Sequence, residues 1–144
     1  MPHFGSTVLL LLPIALCAQR PSDRELVRNT LALFGERVHQ VDCDSCEGVT
    51  PCIRICTDLE FILLDSLLDL DFNRLLQAAP DSVRPMLTNH HRNWIIARRE
   101  QCAGITQGES NGYAMINYVA CLNESTRLRT AEVAHLRHWF PTEP

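Results

Sequence analysis

The side chains in this sequence that are most able to do chemistry are its seven cysteines. Four of them lie close together with the spacing C-x2-C-x5-C-x3-C. Four thiolates at short spacing can bind a zinc ion, whereas oxidised cysteines form disulfides that stabilise a small domain. The choice between the two depends on the compartment in which the chain resides. The cysteines are Cys17 near the N-terminus, and then Cys43, Cys46, Cys52, Cys56, Cys102 and Cys121.

The N-terminal segment predicts export. Its apolar run from Val8 to Leu16 has roughly the length of a signal-peptide core and is well short of the ~20 residues that a membrane-spanning helix needs. Small residues near Ala18 offer a cleavage point, so residues 1–18 are predicted to be a signal peptide and residues 19–144 a single domain. Alternatively, the segment is a lipoprotein signal and Cys17 carries a lipid. The predicted location is periplasmic or secreted, with membrane attachment only if Cys17 is lipidated.

Export favours disulfides, because thiols are oxidised outside the cytoplasm. Six cysteines allow fifteen pairings, and spacing alone cannot choose among them. We prefer a nested arrangement for the first four, with a four-thiolate zinc site as the alternative. The preferred pairs are Cys43 with Cys56 and Cys46 with Cys52.

The hydrophobic pattern predicts an all-α fold, a small disulfide-stapled bundle of about four helices. Two antiparallel helices joined by an Ala103–Gly112 loop would bring Cys102 and Cys121 together, and that bridge would contribute about 3 kcal/mol. The segment 41–56 is predicted to be a cross-linked loop. The predicted helices run from Ser22 to near His39, from Leu59 to Gln77 after a Thr57–Glu60 capping box, from Asp81 or Ser82 to Cys102, and from Ser110 or Asn111 to Leu136.

Two helices carry patterns that indicate their buried faces. In the third helix, Trp94 shares a face with Arg98 and Cys102, so Trp94 is predicted to lie in the core. A buried Arg98 needs an acidic partner, for which Asp65 or Glu124 could serve. The stripe predicted to be buried on the second helix consists of Leu64, Leu67, Leu68, Phe72, Leu75 and Leu76.

The histidines and clustered aspartates are weaker candidates for chemistry. Two neighbouring histidines without a set of nearby carboxylates make a poor metal site, so the prediction is surface or interhelical residues, with no metal, no cofactor and no catalytic group. The aspartates are better explained as the solvated side of an amphipathic helix than as acid–base pairs. These residues are His90, His91, His135, His138, Asp65, Asp69 and Asp71.

The charge balance excludes one class of partner. The chain has 13 basic and 17 acidic side chains, a net charge of −4. Binding of nucleic acid needs a clustered basic face, which this composition does not favour. A net charge this small attracts a basic protein only weakly.

A combination of short motifs resembles the N-terminal domain family of the lysozyme inhibitor LprI. The run Trp94-Ile95-Ile96-Ala97-Arg98 is followed by Cys102, a Gly/Ser loop and Cys121, and then by Thr126 and Arg129. Earlier in the chain, Cys43 and Cys56 precede a predicted helix. This helix carries a motif that begins with Leu64-Asp65-Ser66-Leu67-Leu68 and ends at Phe72. The resemblance covers about Cys43 to Leu136, and Cys46 and Cys52 form an additional pair. It implies a bacterial, exported, helical protein with Cys43–Cys56 and Cys102–Cys121 bridges.

The resemblance also implies a function, because some members of that family inhibit lysozyme. We therefore expect a non-catalytic protein that binds and blocks a lysozyme-type muramidase or a related peptidoglycan hydrolase. The alternatives are an immunity protein against a peptidoglycan-degrading toxin, an envelope interaction module, and an enzyme or metal carrier built on the histidines and thiols. The loop between the last two helices is the predicted contact element, with Thr106, Gln107, Ser110, Asn111 and Tyr113 as neutral donors.

Overall fold

The computed structural model describes residues 21–46, 48–109 and 113–140. The predicted signal peptide, residues 1–18 with Cys17, lies outside the described residues. In the described part the chain is helical and has no strand, so the all-α prediction is confirmed. No described helix is long and apolar enough to cross a membrane. The four helices are α1 (Asp23–Ala32), α2 (Thr50–Ala78), α3 (Arg84–Ile105) and α4 (Ala114–Arg137).

Helix α1 begins as predicted and ends earlier than predicted. The Ser22 hydroxyl accepts a hydrogen bond from the Glu25 amide at 3.1 Å, which caps the first turn. The helix ends at Ala32 rather than near His39, because Gly35 adopts a left-handed φ of 55° that a helix cannot continue through. Two short 3-10 turns follow, Gly35–His39 and Cys43–Ser45.

Helix α2 begins at Thr50, so the prediction of a loop up to Cys56 was wrong. Pro51 fits the first turn, where the missing N–H has no intrahelical partner. Thr57 and Asp58 are therefore inside the helix and do not cap it. The Thr57 hydroxyl donates to the Ile53 carbonyl at 2.7 Å, and the Asp58 carboxylate binds Arg54.

The starts of α3 and α4 also differ from the predictions. Helix α3 begins after Val83, without a side-chain cap from Asp81 or Ser82. The Asp81 carboxylate instead binds the Arg84 guanidinium at 2.7 Å. Helix α4 begins at Ala114, whereas its predicted first residue, Ser110 or Asn111, lies outside the described residues.

Helix α2 is the centre of the fold, since it packs against both α1 and α4, while α3 packs mainly against α4. Helices α2 and α4 are parallel: Asn123 donates to the Thr57 carbonyl in the first half of both helices, and Arg137 at the end of α4 reaches Asp71 in the last third of α2. The core forms two clusters along this pair. One cluster is centred on Val27, Ile55, Phe61, Val119 and Leu122, and the other on Leu68, Phe72, Leu75, Leu87 and Val133.

Part of the stripe on α2 that was predicted to be buried is exposed to solvent. Leu68, Phe72 and Leu75 are buried, but Leu67 is 45% exposed, so its assignment to the core was wrong. Leu67 lies one residue before Leu68, which is about 100° around a helix, and therefore points away from α4.

Candidate functional site

Three disulfides cross-link one end of the bundle. They join Cys43 to Cys56, Cys46 to Cys52, and Cys102 to Cys121, with Cα–Cα separations of 5.5 to 5.6 Å, in the pairings preferred from the sequence. The first two tie the turn before α2 to the first two turns of that helix. The third ties the end of α3 to the start of α4, which lies beside the start of α2. All three bridges therefore stiffen the same end.

The zinc alternative can be compared with this geometry. The sulfur atoms of Cys46, Cys52 and Cys56 all lie within 4.8 Å of one another, close enough for a shared metal. A zinc ligand has to be a thiolate, and each of these sulfurs is bonded to another sulfur in a disulfide. The oxidised arrangement therefore offers no thiolate to a metal.

The connection from α3 to α4 emerges from this cross-linked end. Gly108 has a φ of 92°, a left-handed conformation that turns the chain back toward α4. Glu109 accepts two hydrogen bonds from the Asn117 amide, at 3.1 and 3.2 Å, which ties the connection to the first turn of α4. With the disulfide at its base, the described part of this connection is anchored on both sides.

The predicted contact residues on this connection differ in their surroundings. Gln107 is exposed, whereas the hydroxyl of Thr106 already donates to the Ala103 carbonyl at 3.2 Å. Tyr113 is exposed, and its hydroxyl lies 3.4 Å from the Thr50 hydroxyl. Ser110 and Asn111 lie outside the described residues.

The contact between Tyr113 and Thr50 adds a second segment to this end that sequence reasoning missed. It brings the start of α2, with the exposed Val49, next to the start of α4. The sequence held no local signal for this contact, because the predicted start of α2 fell after Thr57. Sequence reasoning therefore identified only the α3–α4 side of this surface.

Arg98 is the centre of a buried polar network between the helices. Its Nη1 donates to Asp65 at 2.9 Å and to the Thr126 hydroxyl at 2.9 Å, and its Nη2 donates to Asp23 at 3.1 Å. The predicted pair with Asp65 is present. The other suggested partner, Glu124, instead pairs with Arg127 on its own helix.

The carboxylate of Asp23 is shared among several donors. It also accepts hydrogen bonds from Arg99 at 2.7 Å and from the Tyr118 hydroxyl at 3.0 Å. Burial, and then the negative charge of Asp23, raise the pKa of Tyr118 to about 12. The phenol therefore stays a donor at every physiological pH, and the network serves to join helices.

Trp94 stacks against charged groups and is only partly buried, which differs from the core position predicted for it. The guanidinium of Arg98 lies 4.8 Å from its ring centroid and that of Arg129 lies 5.5 Å away. These cation–π contacts stabilise two arginines that are almost without contact with solvent. Trp94 thus supports the polar network from the second core cluster.

The four histidines considered as candidates lie on α3, on α4 and directly after the end of α4. His90 contacts Arg129 through Nδ1 at 3.1 Å, and His91 is buried and stacked on Phe72 with the ring centroids 4.0 Å apart. His135 packs edge-on against Trp139 near the end of α4. Each histidine with a described contact therefore has a packing role between side chains.

The comparison with protein families agrees with this architecture. The family model described as lysozyme inhibitor LprI matches residues 43–133, which is nearly two thirds of the chain. No curated protein and no solved structure matches the chain. The matched region contains all six bridged cysteines together with Asp65, Trp94 and Arg98, while Asp23 lies before it. On this match, the chain belongs to the lysozyme inhibitor LprI family.

Proposed function

We propose that this chain is an exported, non-catalytic protein that binds a lysozyme-type muramidase and blocks its cleft with the cross-linked end of the bundle. The family match supports a lysozyme-inhibitor-like role, with a protein partner, at the level of the family. The target enzyme and the contact surface are our inference.

The observation that carries the proposal is the position of the Cys102–Cys121 bridge at the base of the α3–α4 connection. A projecting element that is ordered before binding loses less conformational freedom when it enters a cleft. The Asn117–Glu109 hydrogen bonds and the Tyr113–Thr50 contact support the same element from its sides. Enzymes of this class hydrolyse a sugar chain with paired carboxyl groups in the cleft.

Neutral donors suit such a cleft. An exposed amide, as on Gln107, can donate to a carboxylate without introducing a charge that must be desolvated. We assign the same role to the side chains of Ser110, Asn111 and Tyr113, and a lesser role to Thr106 because its hydroxyl already donates within the turn.

The exposed acidic side chains at the cross-linked end of the bundle favour a basic partner. Asp42 and Asp44 are exposed acids on the turn before α2, and Glu109 is an exposed acid on the α3–α4 connection itself. Such charges raise the rate of encounter with a basic surface more than they raise affinity. Inhibition should therefore weaken as the ionic strength rises.

The decisive experiment is a muramidase assay with the oxidised chain. Gln107→Glu and Asn111→Asp place new carboxylates against the acids of the cleft, so each should weaken inhibition by on the order of tenfold, equal to about 1.4 kcal/mol. Gln77→Glu and Asn73→Asp make the same chemical changes near the far end of α2 and should leave inhibition unchanged.

Two results would remove the proposal. If c-type, g-type and i-type lysozymes all keep their full rate with the wild-type chain in micromolar excess, the chain does not inhibit muramidases. If inhibition is present but responds equally to Gln107→Glu and Gln77→Glu, the inhibitor uses another surface.

Export and processing form a separate part of the proposal. We propose that residues 1–18 are removed as a signal peptide and that the chain acts in the periplasm or outside the cell, with lipidation of Cys17 as the alternative. The mass of the chain recovered from an envelope fraction distinguishes cleavage near Ala18 from a lipid-modified Cys17. An unprocessed chain in the cytoplasm would contradict both.

A further inference from the structure

Helix α2 carries an exposed row of leucines on the side that faces away from the bundle. Leu59, Leu63, Leu67 and Leu70 have exposed fractions between 37% and 60%. Their steps of four, four and three residues place all four within an arc of about 80°, at 3.6 residues per turn. We call these four residues the leucine stripe.

The leucine stripe makes no contribution to the core of the bundle. The opposite side of the same helix supplies the buried Phe61, Leu68 and Leu75, which pack against the neighbouring helices. Single exposed leucines are common on monomeric proteins, but a continuous row on one helix face is typical of an interface. The stripe is therefore a surface that a partner can cover.

The charges beside the leucine stripe match those of a second copy of the chain. Glu60 and Arg74 lie on the same flank of α2, seven residues before and seven residues after Leu67. If two α2 helices cross antiparallel with Leu67 on the twofold axis, Glu60 of one copy faces Arg74 of the other. The same register brings Leu63 of one copy to within one residue of Leu70 of the other, a shift of about 1.5 Å along the helix axis.

The present partners of these two side chains do not prevent that pairing. Glu60 binds Arg127, and Arg74 binds Asp71 at 3.2 Å, in pairs that are largely open to solvent. Exposed ion pairs of this kind contribute roughly 0 to 1 kcal/mol, so they can share or exchange partners at small free-energy cost.

We propose that the leucine stripe is a homodimer interface, in which two α2 helices pack antiparallel about Leu67. A twofold axis makes the interface self-complementary, since each contact occurs twice. The stripe begins beside the cross-linked end, since Leu59 and Leu63 line the same hollow as Cys43, Cys46 and Cys56, and it runs from there along α2. The α3–α4 connection contributes no residue to the stripe, so dimerisation and the proposed inhibition are tested at different side chains.

Sedimentation velocity of the oxidised chain, from about 1 µM to about 200 µM, tests the proposal. The wild-type chain should approach twice the protomer mass as the concentration rises. Leu67→Glu should raise the dimer dissociation constant on the order of 100-fold, because two carboxylates would meet at the axis without partners. Leu128→Glu is the matched control on α4, where Leu128 is 61% exposed and is not part of the stripe, and it should dimerise normally.

The charge pair tests the register. Glu60→Arg and Arg74→Glu should each weaken the dimer, and the double variant Glu60→Arg/Arg74→Glu should recover it, because the two charges are exchanged. A monomer at every concentration would overturn the proposal, as would a dimer that is indifferent to Leu67→Glu. If Leu67→Glu breaks the dimer but the double charge variant dimerises no better than the single charge variants, the antiparallel register is wrong. A chain that is monomeric but inhibits lysozyme would refute only the dimer.

Discussion

The Nη2 atom of Arg98 lies 3.1 Å from the Oδ2 atom of Asp23, and the two side chains are only 3% and 2% exposed. This ion pair joins α3 to the first residue of α1. The same guanidinium also contacts Asp65 on α2 and Thr126 on α4. A single side chain thus contacts all of the other three helices.

Replacing Arg98 by Met should destabilise the fold by about 3 to 5 kcal/mol, because Asp23 and Asp65 would lose their partner in a buried site. Urea unfolding at neutral pH, followed by circular dichroism, measures this loss. Arg92→Met on the exposed side of α3 is the matched control and should stay within about 0.5 kcal/mol of the wild type. A loss below about 1 kcal/mol for Arg98→Met would mean that water replaces the guanidinium.

The Arg54–Asp58 pair within α2 provides a second test. Arg54 Nε lies 2.8 Å from both oxygens of Asp58, whose side chain is fully buried. Arg54→Met should cost about 3 to 5 kcal/mol, whereas Arg54→Met/Asp58→Leu should recover most of that loss, since no unpaired charge remains. Equal losses in the single and double variants would show that the arginine contributes through packing alone.

The Arg54→Met variant should also have a distinctive dependence on pH. Burial already raises the pKa of Asp58 in the wild type despite the opposing effect of Arg54, and removal of Arg54 takes away that opposition. The folded state then binds a proton that the unfolded state, with a carboxyl pKa of about 3.9, releases. The variant should therefore recover stability relative to the wild type as the pH falls toward the raised pKa of the folded Asp58 carboxyl, as measured by urea unfolding at each pH. Parallel stability curves for the two proteins would contradict this.

The limits of prediction from sequence are clearest in α2. Thr57 and Glu60 have the spacing of a capping box, but a residue inside a helix can have the same spacing. The structure satisfies Thr57 through the Ile53 carbonyl and leaves the helix to begin at Thr50. A local signal for that outcome was present, since Arg54 and Asp58 have the i, i+4 spacing of a helical ion pair, but the capping-box spacing was given more weight.

Some of the long-range contacts were predictable from the sequence, and others were not. The partner Asp65 was predictable because it lies on the adjacent helix and an acid was needed near Arg98. The partner Asp23 is 75 residues away along the chain, and it resembled an ordinary residue in the first turn of a helix. The Cys102–Cys121 bridge was predictable because one loop joins the two helices that carry it.

The disulfides should differ in how much each stabilises the fold. In the chain-entropy model, Cys102→Ala/Cys121→Ala opens a loop with a sequence separation of 19 and should cost about 3 kcal/mol. The Cys46–Cys52 loop has a separation of 6, so Cys46→Ala/Cys52→Ala should cost about 1 kcal/mol less. Urea unfolding of each oxidised variant measures both values. An equal or larger loss for the shorter loop would show that packing, and not loop closure, determines the difference.

His91 should make the stability of the bundle depend on pH near neutrality. Burial, and then the positive charge of Arg129, lower the pKa of His91, against the opposing effect of Asp69. Above the unfolded-state pKa of about 6.5, the ring is neutral in both states. Below it, the unfolded chain takes up a proton that the folded ring resists, so stability should decrease as the pH falls toward the lower pKa of the folded state.

His91→Phe tests this dependence directly. Phenylalanine can keep the stacking on Phe72, where the ring centroids are 4.0 Å apart, and it cannot bind a proton. The variant should therefore lose less stability than the wild type between pH 7 and pH 5, as measured by thermal unfolding at each pH. His138→Asn, which removes an exposed histidine after the end of α4, should leave the pH dependence of the wild type unchanged. If His91→Phe and the wild type lose stability in parallel, groups other than His91 cause the acid sensitivity.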